Sequence, residues 1–206
     1  MRILQATSEF FPYSKTGGLA DMVAGLSGAL VGMGESITVA TPMYQGIREA
    51  HPEIEPAADA FTIDLGDAKV VGRWWRLQNP KGPEVLFLEN DYFYNRSGLY
   101  VKNGEGYQDN PERFIFFSRA IADLAGEYDL LHLHDWQTAL VPMLLKEQSG
   151  VGAKTVFTVH NLAYQGACEG GKFGLTGMAP ERFHQRGPEH FQSFNFLKAG
   201  LFYADA

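Results

Sequence analysis

Ile3-Leu4-Gln5-Ala6-Thr7, then a loop carrying Pro12, Gly17 and Gly18, then Leu19, Met22, Val23, Leu26, Leu30 and Met33, then Ser36-Ile37-Thr38-Val39-Ala40: this opening run decides the fold. Five residues rich in apolar side chains read as a strand, whereas apolar positions three and four apart read as a helix with one face for a sheet. Gly32 and Gly34 end that helix and release the second strand. Strand, helix and strand at this spacing form a right-handed crossover, which makes the two strands parallel, so residues 2–41 read as one βαβ unit.

The same alternation continues downstream. Asn110-Pro111-Glu112 starts a helix with a capping side chain, a proline at its first position and an acid near its positive end, and Phe114, Phe117, Ile121 and Leu124 form its buried stripe. Tyr128 to Leu133 and Lys154 to Val159 read as strands; between them a helix carries Leu140, Met143 and Leu144, and Pro142 either lies in its first turn or kinks it. The intervening runs at residues 61–65, 70–77 and 85–88, split by Gly66-Asp67 and by 79–83, read as hairpins that extend or flank the sheet. Residues 44–60 look like a surface excursion without core. Residues 91–107 form an aromatic polar loop, a glycine-rich loop runs to about Gly177, and a last helix is expected over Glu189 to Ala199, with Phe202-Tyr203-Ala204 starting an extended segment. The fold class expected is α/β: a doubly wound, mainly parallel sheet with a flanking β-hairpin insertion.

Composition narrows the function. Against 17 Lys+Arg stand 24 Asp+Glu, a net charge of −7, so there is no basic footprint for nucleic acid or an anionic membrane surface. No apolar run approaches the roughly 18 residues of a membrane span. Cys168 is the only cysteine, which excludes an internal disulfide and a cysteine zinc cluster. Met1-Arg2-Ile3-Leu4-Gln5 turns polar too soon for a signal peptide, so the expected location is the cytoplasm, or a plastid for a plant chain although no transit peptide is visible.

Ligands of doubly wound sheets sit beyond the carboxyl ends of the strands. Three polar clusters fall there and should face one crevice: the loop from Glu9 to Asp21, the corner His134-Asp135-Trp136, and the corner His160-Asn161. Lys15-Thr16-Gly17-Gly18 puts a cation and two small residues before a helix N-terminus, where amide donors and the dipole favour a diphosphate; a plain turn with a solvated lysine fits equally well. Asp135 and Trp136 suit sugar hydroxyls and an apolar sugar face, or else a helix cap and a core residue. His160 is either a site residue or a satisfied structural histidine. No metal-ligand spacing occurs, no cofactor is indicated, and the adjacent glycines do not make a dinucleotide fingerprint.

These residues carry a resemblance. Ser8-Glu9-Phe10-Phe11-Pro12, Lys15-Thr16-Gly17-Gly18-Leu19-Ala20-Asp21, Tyr94-Asn95-Arg96, His134-Asp135-Trp136-Gln137-Thr138, Thr158 to Gly166 and Asn195 to Gly200 resemble, in order, the bacterial glycogen synthases and plant starch synthases. The resemblance implies a Rossmann-like domain, residues 1–206, forming the N-terminal half of a GT-B glycosyltransferase, with the second, donor-binding domain absent. It further implies retaining transfer of glucose from ADP-glucose to the non-reducing end of an α-1,4-glucan. By motif, Asp135, His160 and Lys15 become the catalytic residues, Lys15, Gly17, Gly18, Asp21 and Asn161 the donor-binding residues, and Tyr94 with Trp136 the acceptor side. Negligible transferase activity is expected of one half alone. Two other roles fit the same residues: a stand-alone glucan-binding module, and a subunit pairing with a separate donor-domain chain.

Overall fold

Arg2–Ala6 (β1) and Ser36–Pro42 (β2) pair in parallel, Leu4 opposite Thr38, with a helix over Gly18–Gly32 (α1) crossing between them as expected. The computed structural model describes all 206 residues. After β2 come α2 (Ile47–Ala50), β3 (Glu55–Pro56), β4 (Phe61–Leu65), β5 (Ala68–Leu77), β6 (Glu84–Glu89), α3 (Asp91–Tyr94), β7 (Val101–Lys102), β8 (Glu105–Gly106) and α4 (Asn110–Leu124). The remainder is β9 (Leu130–His134), α5 (Val141–Leu145), β10 (Lys154–Thr158), β11 (Ala167–Glu169), β12 (Glu189–His190), β13 (Ser193–Asn195) and α6 (Phe196–Tyr203).

The main sheet runs β10-β9-β1-β2-β6-β5-β3, with β4 paired to β5. Its first five strands are parallel; β5 turns back antiparallel on β6 and carries β3 and β4, so the expected hairpin insertion is one edge of the same sheet. β1 is the middle one of the five parallel strands, with Leu4 facing Thr38 on one side and Leu131 on the other. The chain winds out through β2 and β6 in one direction and returns through β9 and β10 in the other. This reversal at β1 opens the crevice at the strand ends.

Against the sheet α4 is buried on nearly every side. Phe114, Phe117 and Ile121 are closed to solvent, and each such side chain stabilises the fold by about 1.5–3 kcal/mol. Asn110 does not cap this helix. Its amide donates to the Tyr100 carbonyl and its oxygen accepts from Arg113, clamping the segment before the helix to its first turn. In α1 only Val23 of the expected stripe is buried; Leu19, Met22, Leu26 and Leu30 are half-buried and Met33 is exposed, because the helix lies against the sheet along a narrow seam completed by Ala20 and Ser27.

Two expectations are corrected. Tyr44, Ile47 and Ile54 belong to the core, so residues 44–60 are no mere excursion; their apolar side chains come singly from turns and leave no periodicity to read. The helix expected over Glu189 to Ala199 begins only at Phe196, capped by the Asn195 side chain, because residues 189–195 form a small antiparallel hairpin with β11 alongside. Ala204 then leaves the helix, and Asp205 and Ala206 run along β10, hydrogen-bonded to Thr155 and Phe157. No helix is long and apolar enough to cross a membrane.

Candidate functional site

The ends of β1, β9 and β10 open on a crevice of about 700 Å³, and all three polar clusters contribute to its wall: Glu9 with Thr16 to Leu19, Asp135 to Gln137, and His160 with Asn161. Tyr100 and Asn110 close it from the segment before α4, and Tyr164 from the loop after β10.

In the glycine loop a buried carboxylate does the organising. Glu9 Oε2 accepts from the amides of Thr16 at 2.5 Å and Gly17 at 3.2 Å, while Oε1 accepts from the Thr16 hydroxyl at 2.6 Å and the Tyr100 hydroxyl at 2.9 Å. Four donors satisfy its charge, and the loop amides at 16 and 17 are thereby taken by the protein itself. The free donors lie one step further on, at the first turn of α1, which has no side-chain cap. A Cβ at Gly17 or Gly18 would meet no protein atom within 4 Å, and Gly17 has an extended backbone open to any residue. The space these glycines leave therefore belongs to the crevice. Lys15 and Asp21 are paired with each other at 2.6 Å, both exposed and neither part of the wall.

Asp135 is held in an unusual backbone conformation, φ 59° and ψ −179°, a region that is nearly glycine-only and costs a side-chain-bearing residue about 1–3 kcal/mol. Its carboxylate does not cap the turn that follows. Oδ1 instead accepts from the His160 amide across the sheet end at 2.7 Å, and Oδ2 has no partner within the protein. The strain thus aims a carboxylate along the crevice. Asn161 uses its carbonyl oxygen to hold the Ala163 amide at 2.9 Å, which turns the chain and keeps the residue on the wall.

From His160 on the wall, three imidazoles run in a row back into the protein. The His132 and His134 rings are 4.2 Å apart and those of His134 and His160 5.3 Å, with His134 Nδ1 3.1 Å from His160 Nε2. Burial, with His132 and His160 alongside, holds the His134 imidazole well below its ordinary value. No group of three or more His, Cys, Asp or Glu side chains is placed to hold a metal ion.

Trp136 packs edge-on against Phe114 at 4.9 Å and Phe196 at 5.7 Å while remaining half-buried on the wall. It also lines a second groove of about 590 Å³, which shares Asn110, Trp136 and Tyr164 with the crevice and continues past Tyr107 and Gln165. Together the two make an elongated trough. Tyr94 lies elsewhere: it is fully buried, its hydroxyl donates to the Arg113 carbonyl at 2.8 Å, and desolvation pushes its phenol well above the ordinary value. The structure therefore does not bring Tyr94 to the acceptor side; its aromatic ring is drawn into a cluster with Tyr44, Phe93 and Phe116. Sequence reasoning placed Glu9 in the loop facing the crevice but not as the carboxylate that holds that loop, and it missed Tyr100, Asn110 and Tyr164 as wall residues.

The sequence and the fold that bring a strained carboxylate, a histidine and an uncapped helix start to the switch point of a parallel sheet are similar over their whole length to those of known proteins. The glycogen synthase of Syntrophotalea carbinolica is 37% identical over 214 residues, and that of Aquifex aeolicus 36% over 209, each matching 100% of this chain and 44% of its own length. The chain thus spans less than half the length of these relatives. Among solved structures, the catalytic domain of starch synthase IV from Arabidopsis thaliana, bound to ADP and acarbose, superposes over 99% of this chain and 43% of its own, with a TM-score of 0.84 and 25% identity. Residues 2–206 match the family described as the starch synthase catalytic domain, and with the whole described fold inside that match, the chain belongs to this family.

Proposed function

We propose that this chain is the N-terminal half of a retaining glucosyltransferase that moves glucose from ADP-glucose to the non-reducing end of an α-1,4-glucan. The observation that carries this is the strained Asp135, its free carboxylate oxygen on the same crevice as His160 and the uncapped start of α1. Family membership supports it, as do the ADP and acarbose held by the related starch synthase IV.

In this reading the leaving diphosphate meets the first amides of α1, where the helix dipole favours an anion by about 0.3–1 kcal/mol. Gly17 and Gly18 leave it room. Lys15 exchanges Asp21 for the phosphate, and a cation at the leaving group is worth about 3 kcal/mol in the transition state. Asp135 offsets the positive charge that develops on the sugar ring, His160 and Asn161 hold sugar hydroxyls, and Trp136 with Tyr164 supports the glucan along the trough. Of the two acids on the wall, Glu9 is saturated by four donors, which leaves Asp135 without the second close carboxylate of a retaining hydrolase. This favours front-face attack assisted by the departing phosphate. No cofactor is required, and the partner is a second GT-B domain that completes the donor site. A lone half-buried thiol, Cys168, suits the reducing cytoplasm where we place the reaction.

The test joins this chain to the second domain of the Syntrophotalea carbinolica relative and measures transfer of labelled glucose from ADP-glucose to maltooligosaccharides. Transfer is expected from the joined protein, not from this chain alone, with a loss of about a hundredfold or more in Asp135→Asn. Synthase-like rates from the 206-residue chain by itself, or an Asp135→Asn enzyme of full activity, would sink the proposal.

A further inference from the structure

We propose that His134 is a positioning residue: it donates Nδ1–H to His160 Nε2 and so fixes His160 as the tautomer carrying its proton on Nδ1, giving the crevice wall a hydrogen-bond donor. The inference rests on the function proposed above only for what that donor would meet.

His134 is closed to solvent at the end of β9, its carbonyl held by the Thr138 hydroxyl at 3.0 Å. Its surroundings keep the ring neutral near pH 7, so it owns a single N–H. Two arrangements satisfy the 3.1 Å contact with His160. In one, His134 donates from Nδ1 and its bare Nε2 is left without a partner. In the other, His134 accepts at Nδ1, and its proton moves to Nε2, which is buried and touches no hydrogen-bonding group. An orphaned buried N–H is the rarer and costlier defect, so the first arrangement is preferred. The neighbours of the pair, His132 and Asp135, leave that choice intact. His132 turns its own Nε2 to the Thr158 hydroxyl at 2.7 Å and offers His134 only its ring face, and Asp135 engages the backbone amide of His160 and not its ring. His160 Nε2 is then an acceptor, and a neutral ring must carry its proton on Nδ1. That atom makes no hydrogen bond within the protein, and His160 stands on the crevice wall.

Ring-nitrogen correlations in the 15N-labelled 206-residue chain near pH 7.5 read the tautomer directly. The expected spectrum has His160 Nδ1 protonated and Nε2 bare. In His134→Asn the side-chain amide can still donate from the position of Nδ1, and the tautomer is kept; in His134→Leu the donor is gone, and the ratio moves toward Nε2–H by about fivefold or more, one hydrogen bond's worth. A wild-type His160 protonated on Nε2 overturns the proposal, as does a folded His134→Leu with the ratio unchanged. If His134→Leu does not fold, the wild-type and His134→Asn spectra still decide. A joined enzyme that fails to transfer glucose would leave this measurement untouched, so the two proposals fail separately.

Discussion

Tyr94 points its hydroxyl at the Arg113 carbonyl inside a closed aromatic cluster, so losing one oxygen tests packing and not recognition. Tyr94→Phe is expected to lower stability by about 1 kcal/mol, seen as a shifted urea midpoint at constant slope, and to leave maltooligosaccharide binding unchanged. Gly166 is the opposite case. Its φ is 62°, and a methyl there would run into the Trp136 ring and crowd the Phe196 Cβ. Gly166→Ala therefore costs about 1–3 kcal/mol or displaces Trp136 from the trough. Tryptophan fluorescence beside a denaturation curve distinguishes the two results.

At the scale of elements the loop between β1 and α1 is held by one carboxylate. Removing it in Glu9→Ala frees the amides of Thr16 and Gly17, and their hydrogen exchange should quicken by about tenfold or more while the amides of β1 and β2 keep their protection. Unchanged exchange at both positions would mean that the loop is ordered by something else. Periodicity made α1, α4 and the parallel strands legible because each buries a continuous face. Residues 44–60 and 189–195 stayed opaque for the opposite reason, since their buried side chains come from turns and two- or three-residue strands. Within the site, the strand-end rule brought the three polar clusters together correctly. What it could not reveal is competition among donors: that Glu9 already takes two loop amides, that Asp135 bonds across to His160 instead of capping, and that Tyr94 turns inward. Those outcomes depend on partners distant in sequence, which no local pattern records.

For the molecule as a whole, the buried histidines set an acid limit. Desolvation, with neighbouring histidines, lowers His132 and His134 from 6.5 in the folded state, so below that value the unfolded chain binds more protons than the native one. Their contribution is complete above pH 6.5 and is lost as the pH falls toward the folded values, at up to about 1.4 kcal/mol per pH unit for each group. Asp129 and Asp205, lowered from 3.8 chiefly by the Arg2 and Thr155 amides, keep theirs until far more acid conditions. Denaturation midpoints between pH 7.5 and 5.5 should therefore fall, and fall less steeply in a folded His134→Asn variant; a flat profile contradicts this. The central place of β1 has another consequence, in time. Ile3 pairs with Ile37 on one side but with Leu130 on the other, so the strand made first can close only one edge until more than half the chain has followed. Through that interval its second edge stays unpaired and apolar, and nascent chains of this fold are expected to mature late and to lean on chaperones while they wait.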